Sequence, residues 1–263
     1  MRNKFLVLGC FCGLLVGTAG AQTMVYDNVN NHNTPFYPQY VYTQQGSFAW
    51  GPWSFAYYGF RFDVKDATGS AAFLNGGSYI GICVNTMFPD PQNNDTATYS
   101  DTPALLTYDL GSGDYWATNR ALKFAAIKDV LATYATQLRN LSPDGADYAN
   151  IVSGIGLSVT EIVVDYDGTL GSINLNAGNS TAWLDMFGTP ITSGAAFDVY
   201  TNIRDNVIGS GVGNSFEVYT ANVSSSSYQD LAFISVVPEP STYILFLGGA
   251  VALYAFRRGR LSA

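Results

Sequence analysis

The chain has 263 residues, with 20 acidic, 12 basic and one His, a net charge of −8, 48% hydrophobic residues and only 12% charged. So little charge excludes a disordered polyampholyte and a basic nucleic-acid binder, because both need far more of it. The apolar content is enough to fold, and the length fits one large domain once the two ends are set aside.

Those ends read as addresses. Arg2 and Lys4 precede an apolar run from Phe5 to Val16, and Ala19-Gly20-Ala21 supplies small residues, which predicts a signal peptide over 1–21 cut between Ala21 and Gln22. Cys10 and Cys12 leave with it. Cys83 is then the only thiol in the mature chain, so no intramolecular disulfide can form even in an oxidising compartment. Between Gln22 and Pro240 there remain seven basic residues against twenty acidic ones, about −13. Such a surface argues against DNA, RNA and anionic membranes as partners, since each phosphate contact needs a Lys or Arg.

From Gln22 to about Leu110 the pattern is that of strands. Tyr40 and Tyr42 alternate with polar or aliphatic neighbours, and so do Tyr58, Phe60, Phe62 and Val64. The Asn-rich segment Asp27 to Asn33 reads as a surface loop, Ser78 to Val84 as a strand, and Met87 to Asp101 as a loop rich in Pro, Asn and Asp. No helix is expected before residue 115. The period then changes. Phe124, Ile127, Leu131, Tyr134, Leu138 and Leu141 lie on one helical stripe over 119–141, and Tyr148, Val152, Ile155, Val159 and Ile162 on another over about 146–164. After Asp165-Tyr166-Asp167-Gly168 short strands return at Phe197 to Ile203, Ser215 to Val223 and Asp230 to Val236. The expectation is a single α+β domain over 22–236. It is mainly antiparallel and sandwich-like, with a helical hairpin inserted at about 119–164.

The C-terminal segment 237–263 has three parts in order: Val237-Pro238-Glu239-Pro240-Ser241-Thr242, the apolar run Tyr243 to Phe256, and Arg257-Arg258-Gly259-Arg260. The run is shorter than the ~20 residues usual for a transmembrane helix, but flanking Arg can snorkel and extend its reach. Arg257, Arg258 and Arg260 after the run hold the extreme C-terminus in the cytoplasm and leave the domain outside. This segment resembles the PEP-CTERM sorting signal, also catalogued as the ice-binding protein C-terminal domain. The resemblance implies export, temporary retention in the inner membrane, and removal of the tail by an exosortase near Pro238, Glu239 and Pro240. It implies no ice binding here, since Thr is scattered and forms no regular array.

A second resemblance runs through Gly81-Ile82-Cys83-Val84-Asn85, the helix stretch Ile155 to Asp165, and Gly171 to Asn179. It is similar to a divergent thioester domain found in some PEP-CTERM proteins, in which a strand Cys joins a helix Gln to acylate an amine on a target. The resemblance places that Cys on Cys83 and that Gln on Gly156, which has no carboxamide. It therefore implies a scaffold that has lost the bond, with a thioester from Gln137 as the open alternative.

Residue types limit other chemistry. The only His, His32, leaves a Ser or Cys nucleophile short of a base, and one Cys with one His cannot hold zinc. No cofactor is expected, although Asp90, Asp95, Asp101, Asp165 and Asp167 are oxygen donors dense enough for Ca²⁺. Twelve of the 27 residues from Phe36 to Phe62 are aromatic, and Trp50, Trp53, Tyr57 and Tyr58 are candidates for stacking on glycans; a β core would have the same composition. The sequence thus reads as an exported envelope or matrix protein with a structural or adhesive, non-catalytic role. Its partners would be secretion machinery, an exosortase, the inner membrane through its tail, and an extracellular polysaccharide or surface protein. The alternatives are a glycan-binding module or carbohydrate-active enzyme, and a thioester adhesin using Cys83.

Overall fold

A computed structural model describes residues 22–30, 40–42, 53–55, 59–84, 93–100, 115–142, 145–175, 177–178, 183–184, 191–216, 218–223 and 230–235. Six strands close an antiparallel barrel: β1 (Thr23–Asn30), β4 (Gly59–Lys65), β5 (Ser78–Cys83), β9 (Leu231–Ser235), β8 (Val218–Val223) and β6 (Thr96–Ser100), in that order around the wall. Three short strands, β2 (Tyr40–Tyr42), β3 (Trp53–Phe55) and β7 (Trp183–Leu184), make a separate sheet ordered β3-β2-β7. The helices are α1 (Arg120–Asn140), α2 (Ala146–Asp165) and α3 (Ala195–Asn202), the last continuing into a π-helical turn, Ile203–Val207.

The α+β class and the helical hairpin agree with the sequence, whereas the sandwich-like arrangement does not: every strand of the main sheet has two partners and the sheet closes. Closure follows from two interlocking faces. Met24, Tyr26, Phe62, Val64, Tyr79 and Phe233 belong to the lumen core, and the alternate residues Ile80, Ile82, Val84, Ala232, Ile234 and Val218 pack with the helices outside. β5 is buried on both faces for that reason. The lumen is filled by rings: Phe62 stands 5.1 Å from Tyr26 and 5.5 Å from Phe233, and Tyr219 is 5.4 Å from Phe233. Filling by large side chains is what a barrel of so few strands requires.

α1 and α2 lie where the 3.6-residue period put them, and all the stripe residues are buried except Leu141, which is half-buried. Other expectations are corrected. The predicted strand Phe197 to Ile203 is α3, because Ala196, Tyr200 and Ile203 bury one helical face and the apparent alternation of Phe197 and Val199 is incidental. Asp27 to Asn30 extend β1 rather than forming a loop, and β6 falls inside the expected loop 87–101, with Ala97 and Tyr99 turned into the lumen core. A 3-10 turn, Gly69–Leu74, precedes residue 115 and buries Ala71 and Leu74. β7 carried no signal, being two residues long.

Strand directions give the barrel two unlike ends. At one, β1 begins, β9 ends and the 66–77 connection with its 3-10 turn joins β4 to β5; this end is called the base. The chain between β6 and β8, which contains all three helices, also leaves from and returns to the base. From the opposite end run the connections β1 to β4, β5 to β6 and β8 to β9.

Candidate functional site

β9 ends at Ser235, opposite Tyr79 of β5, so the chain leaves the barrel at the base. β9 is zipped on both sides, to β5 through Tyr79 to Cys83 and to β8 through Val218 to Ala221. The sorting-motif residues Pro238, Glu239 and Pro240, the apolar run 243–256 and Arg257, Arg258 and Arg260 follow this strand directly but lie outside the described residues, as does Ala21. Gln22 is described, half-buried at the base beside β1, with its carbonyl accepting the Tyr99 N–H at 2.9 Å. Both expected processing points therefore attach to the same end of the barrel. Among the described residues no helix is long and apolar enough to cross a membrane.

Cys83 is a buried free thiol at the other end. It belongs to the lumen core, whereas Ile82 and Val84 on either side of it belong to the core shared with α1 and α2. The period-2 alternation of β5 thus turns the thiol away from Gly156 and from the helix that carries Gln137. Beside Cys83 is Tyr26, wholly buried, whose hydroxyl makes no hydrogen bond. Its pKa is pushed well above the ordinary phenol value, by burial first and then by Cys83, Asp230 and Asp95.

Trp50, Tyr57 and Tyr58 lie outside the described residues, and Trp53 opens β3. The pairings are Tyr40 with Phe55, Val41 with Ser54 and with Leu184, and Tyr42 with Trp53 and with Trp183. Tyr40 with Phe55, and Tyr42 with Trp53 and Trp183, are therefore aromatic residues at directly paired register positions. Trp183 was invisible as a member of this set, since only the register joins it to Tyr42, 141 positions earlier.

The oxygen donors considered for Ca²⁺ are dispersed. Asp90 and Asp101 lie outside the described residues; Asp95 and Asp165 are half-buried at different places. Asp167 Oδ1 accepts the Thr169 N–H at 2.9 Å and its hydroxyl at 2.8 Å, a turn-forming arrangement that holds its carboxyl below the usual range. Among the described residues no group of three His, Cys, Asp or Glu side chains is placed to hold a metal.

The buried charges are ones the sequence did not reveal. Asp129 of α1 accepts three backbone N–H groups from one glycine-rich segment: Gly209 at 3.0 Å and Gly211 at 3.2 Å on Oδ2, and Gly213 at 2.8 Å on Oδ1. Glu161 in the middle of α2 accepts the Asn174 N–H at 3.1 Å, and Lys123 Nζ donates to the carbonyls of Tyr115 (2.8 Å) and Val163 (2.7 Å). Each ties a connecting segment to the helical layer by satisfying backbone groups that burial would otherwise leave open.

Compared with known proteins, residues 236–260 match the family described as the PEP-CTERM protein-sorting motif. That motif implies an exported protein that an exosortase recognises and sorts at the membrane. No curated protein and no solved structure matches the chain.

Proposed function

We infer that this is an exosortase-processed envelope or extracellular-matrix protein whose barrel domain works as a non-catalytic structural or adhesive unit. The observation that carries this reading is the sorting motif at 236–260 following β9 without a linker, so the folded domain and its address form one piece. The signal peptide delivers the domain across the inner membrane, the apolar run 243–256 holds it there, and cleavage near Pro238, Glu239 and Pro240 releases it to the surface. The test is intact mass of the protein recovered from its host, with and without the exosortase. A species from Gln22 to within 238–241 that disappears when the exosortase is deleted supports the reading. A mature chain still carrying 243–263 in both strains makes the tail a permanent anchor and refutes it.

The aromatic residues at paired positions of the β3-β2-β7 sheet favour a second reading, glycan binding. Aromatic rings stack on sugar faces, and a surface without excess positive charge suits a neutral or weakly charged polysaccharide better than an anionic one. Retention on purified host polysaccharide that is lost in Trp53→Ala with Trp183→Ala, at unchanged melting temperature, would support it; equal retention would reject it. The thioester reading is the weakest of the three, because β5 turns Cys83 into the lumen.

A further inference from the structure

We propose that the base of the barrel is a lipid-facing surface, seated on the outer face of the inner membrane through Phe73 and Phe216 while the sorting tail is still attached. The proposal rests on the tail being a membrane anchor and adds a second contact by the domain itself. Five large hydrophobic residues among those described are exposed, and three belong to segments at or leading into the base: Phe73 at 51%, Phe216 at 40% and Val212 at 36%. Phe73 closes the 3-10 turn that plugs the barrel, with its ring 6.0 Å from Tyr99 and 5.5 Å from Tyr219. Its inner edge is held by the lumen core, and its outer part projects to solvent. Phe216 precedes β8 by two residues, and β8 begins where β9 ends, since Val218 pairs with Ile234.

The domain carries about −13, but residues 67–77 and 206–216 contain no charged side chain, with Asp66, Asp101 and Glu217 bordering in sequence the segments at this end. Their exposed members are Thr, Ser, Asn, Gly and Ala beside Val212 and the two Phe. Carboxylates would be repelled from a bilayer containing anionic lipid, and segments free of them can enter the headgroup layer, where aromatic side chains are favoured. Distance then identifies the occupant. Seven residues, 236–242, separate Ser235 from the apolar run that starts at Tyr243, and fully extended they span at most about 25 Å. Anchored chain therefore cannot carry the base beyond that height, and the two Phe are held close to the lipid at high effective concentration.

The experiment uses the full chain with p-benzoylphenylalanine at position 73, 216, 93 or 249, reconstituted in vesicles of phosphatidylethanolamine with a minority of phosphatidylglycerol. Position 93 is exposed at the opposite end of the barrel, and 249 lies in the apolar run. Illumination and mass spectrometry count lipid adducts. Adducts at 73 and 216 several-fold above those at 93, together with adducts at 249, are the expected result. Adducts at 249 with 73 and 216 no higher than 93 would leave the anchor standing and overturn the seated base. Absence of adducts at all four positions would overturn both. As a second check, Phe73→Ser with Phe216→Ser, folded by near-ultraviolet circular dichroism, should increase proteolytic access to 236–242 in vesicles. Unchanged access would also count against seating.

Discussion

Asp129 offers the sharpest test of how the helical layer is tied to the barrel. Gly209 and Gly211 have positive φ, 81° and 74°, so their amides converge on a single point, and the Asp129 carboxylate occupies it. Gly213 approaches α1 so closely that a Cβ there would stand 2.6 Å from the Lys128 carbonyl carbon and 2.7 Å from the Asp129 nitrogen. In Asp129→Ala the three amides lose their acceptor. Gly209 is exposed and Gly211 half-buried, so water can replace part of those bonds, but Gly213 is buried and its N–H is left open. One buried orphan costs about 1–3 kcal/mol, and two water-replaceable bonds to a charge add about 0.5–1 kcal/mol each, giving about 3 kcal/mol in all. In a domain of this size that lowers the melting temperature by roughly 6–12 °C. Asp129→Asn keeps one acceptor for Gly213 but turns its NH₂ towards both Gly209 and Gly211, so it should fall between Asp129→Ala and the natural protein. Urea unfolding followed by near-ultraviolet circular dichroism measures both. Asp129→Ala within about 0.5 kcal/mol of the natural protein, the range of a neutral surface substitution, would mean the carboxylate is not the clamp.

Gly154 sits where α2 meets α3, and a Cβ there would stand 2.5 Å from Val199 Cβ and 2.6 Å from the Ala196 carbonyl oxygen. Gly154→Ala gains about 1 kcal/mol of helix propensity but loses about 1–3 kcal/mol to overpacking, so it should lower the melting temperature, and Val199→Ala in the same chain, which keeps the Cβ, should recover little of the loss. Tyr26→Phe removes a buried hydroxyl that has no partner, and should leave stability unchanged or raise it by about 1 kcal/mol; a clear loss in urea unfolding would show the hydroxyl to be bonded. Tyr200 has its pKa pushed up to about 12, by burial and then by the Glu161 carboxylate. A phenol whose folded pKa exceeds its unfolded value of 10.0 stabilises fully below pH 10, and that stability is lost as pH rises towards 12. Alkaline unfolding in this window, less steep in Tyr200→Phe, is the expected titration.

The helices were legible because the apolar stripes of α1 and α2 answer to a tertiary demand that acts along the whole element: one side must face the barrel or the other helix. The strands were legible as local alternation, but closure was not. Whether a sheet folds into a sandwich or closes depends on pairings such as Val25 with Thr96 and Val218 with Ile234, which join residues 71 and 16 positions apart and leave no local mark. α3 was misread because Phe197, Asp198 and Val199 alternate over so short a stretch that both periods fit. Of the candidate site, the sorting segment was plain, since its three parts are contiguous. Cys83 was found as a thiol, but its side of β5 depends on register, and Asp129 and Glu161 look in sequence like ordinary helix-surface acids. Only the return of 209–213 and 174 onto them makes them buried acceptors.

The order of the strands bears on when sorting can occur. β9 is the last strand among the described residues and the one that joins β5 to β8, so the barrel cannot close until residues 231–235 have left the export channel. Its partners come from far apart: β5 lies about 150 residues earlier, and pairing across so long a loop is entropically slow to form. The sorting motif begins at residue 236, one position beyond that strand. An anchor placed there, as the proposed function has it, would hold the C-terminus of the domain at the membrane while β9 finds both neighbours. Once they pair, two antiparallel ladders carry any pull from the tail as shear along β9 rather than peeling it from an edge. Cleavage before closure would free a sheet with β5 and β8 as open edges, the condition in which strands associate between molecules. Under the proposed function, a motif joined in sequence to the closing strand would couple retention to the last step of folding.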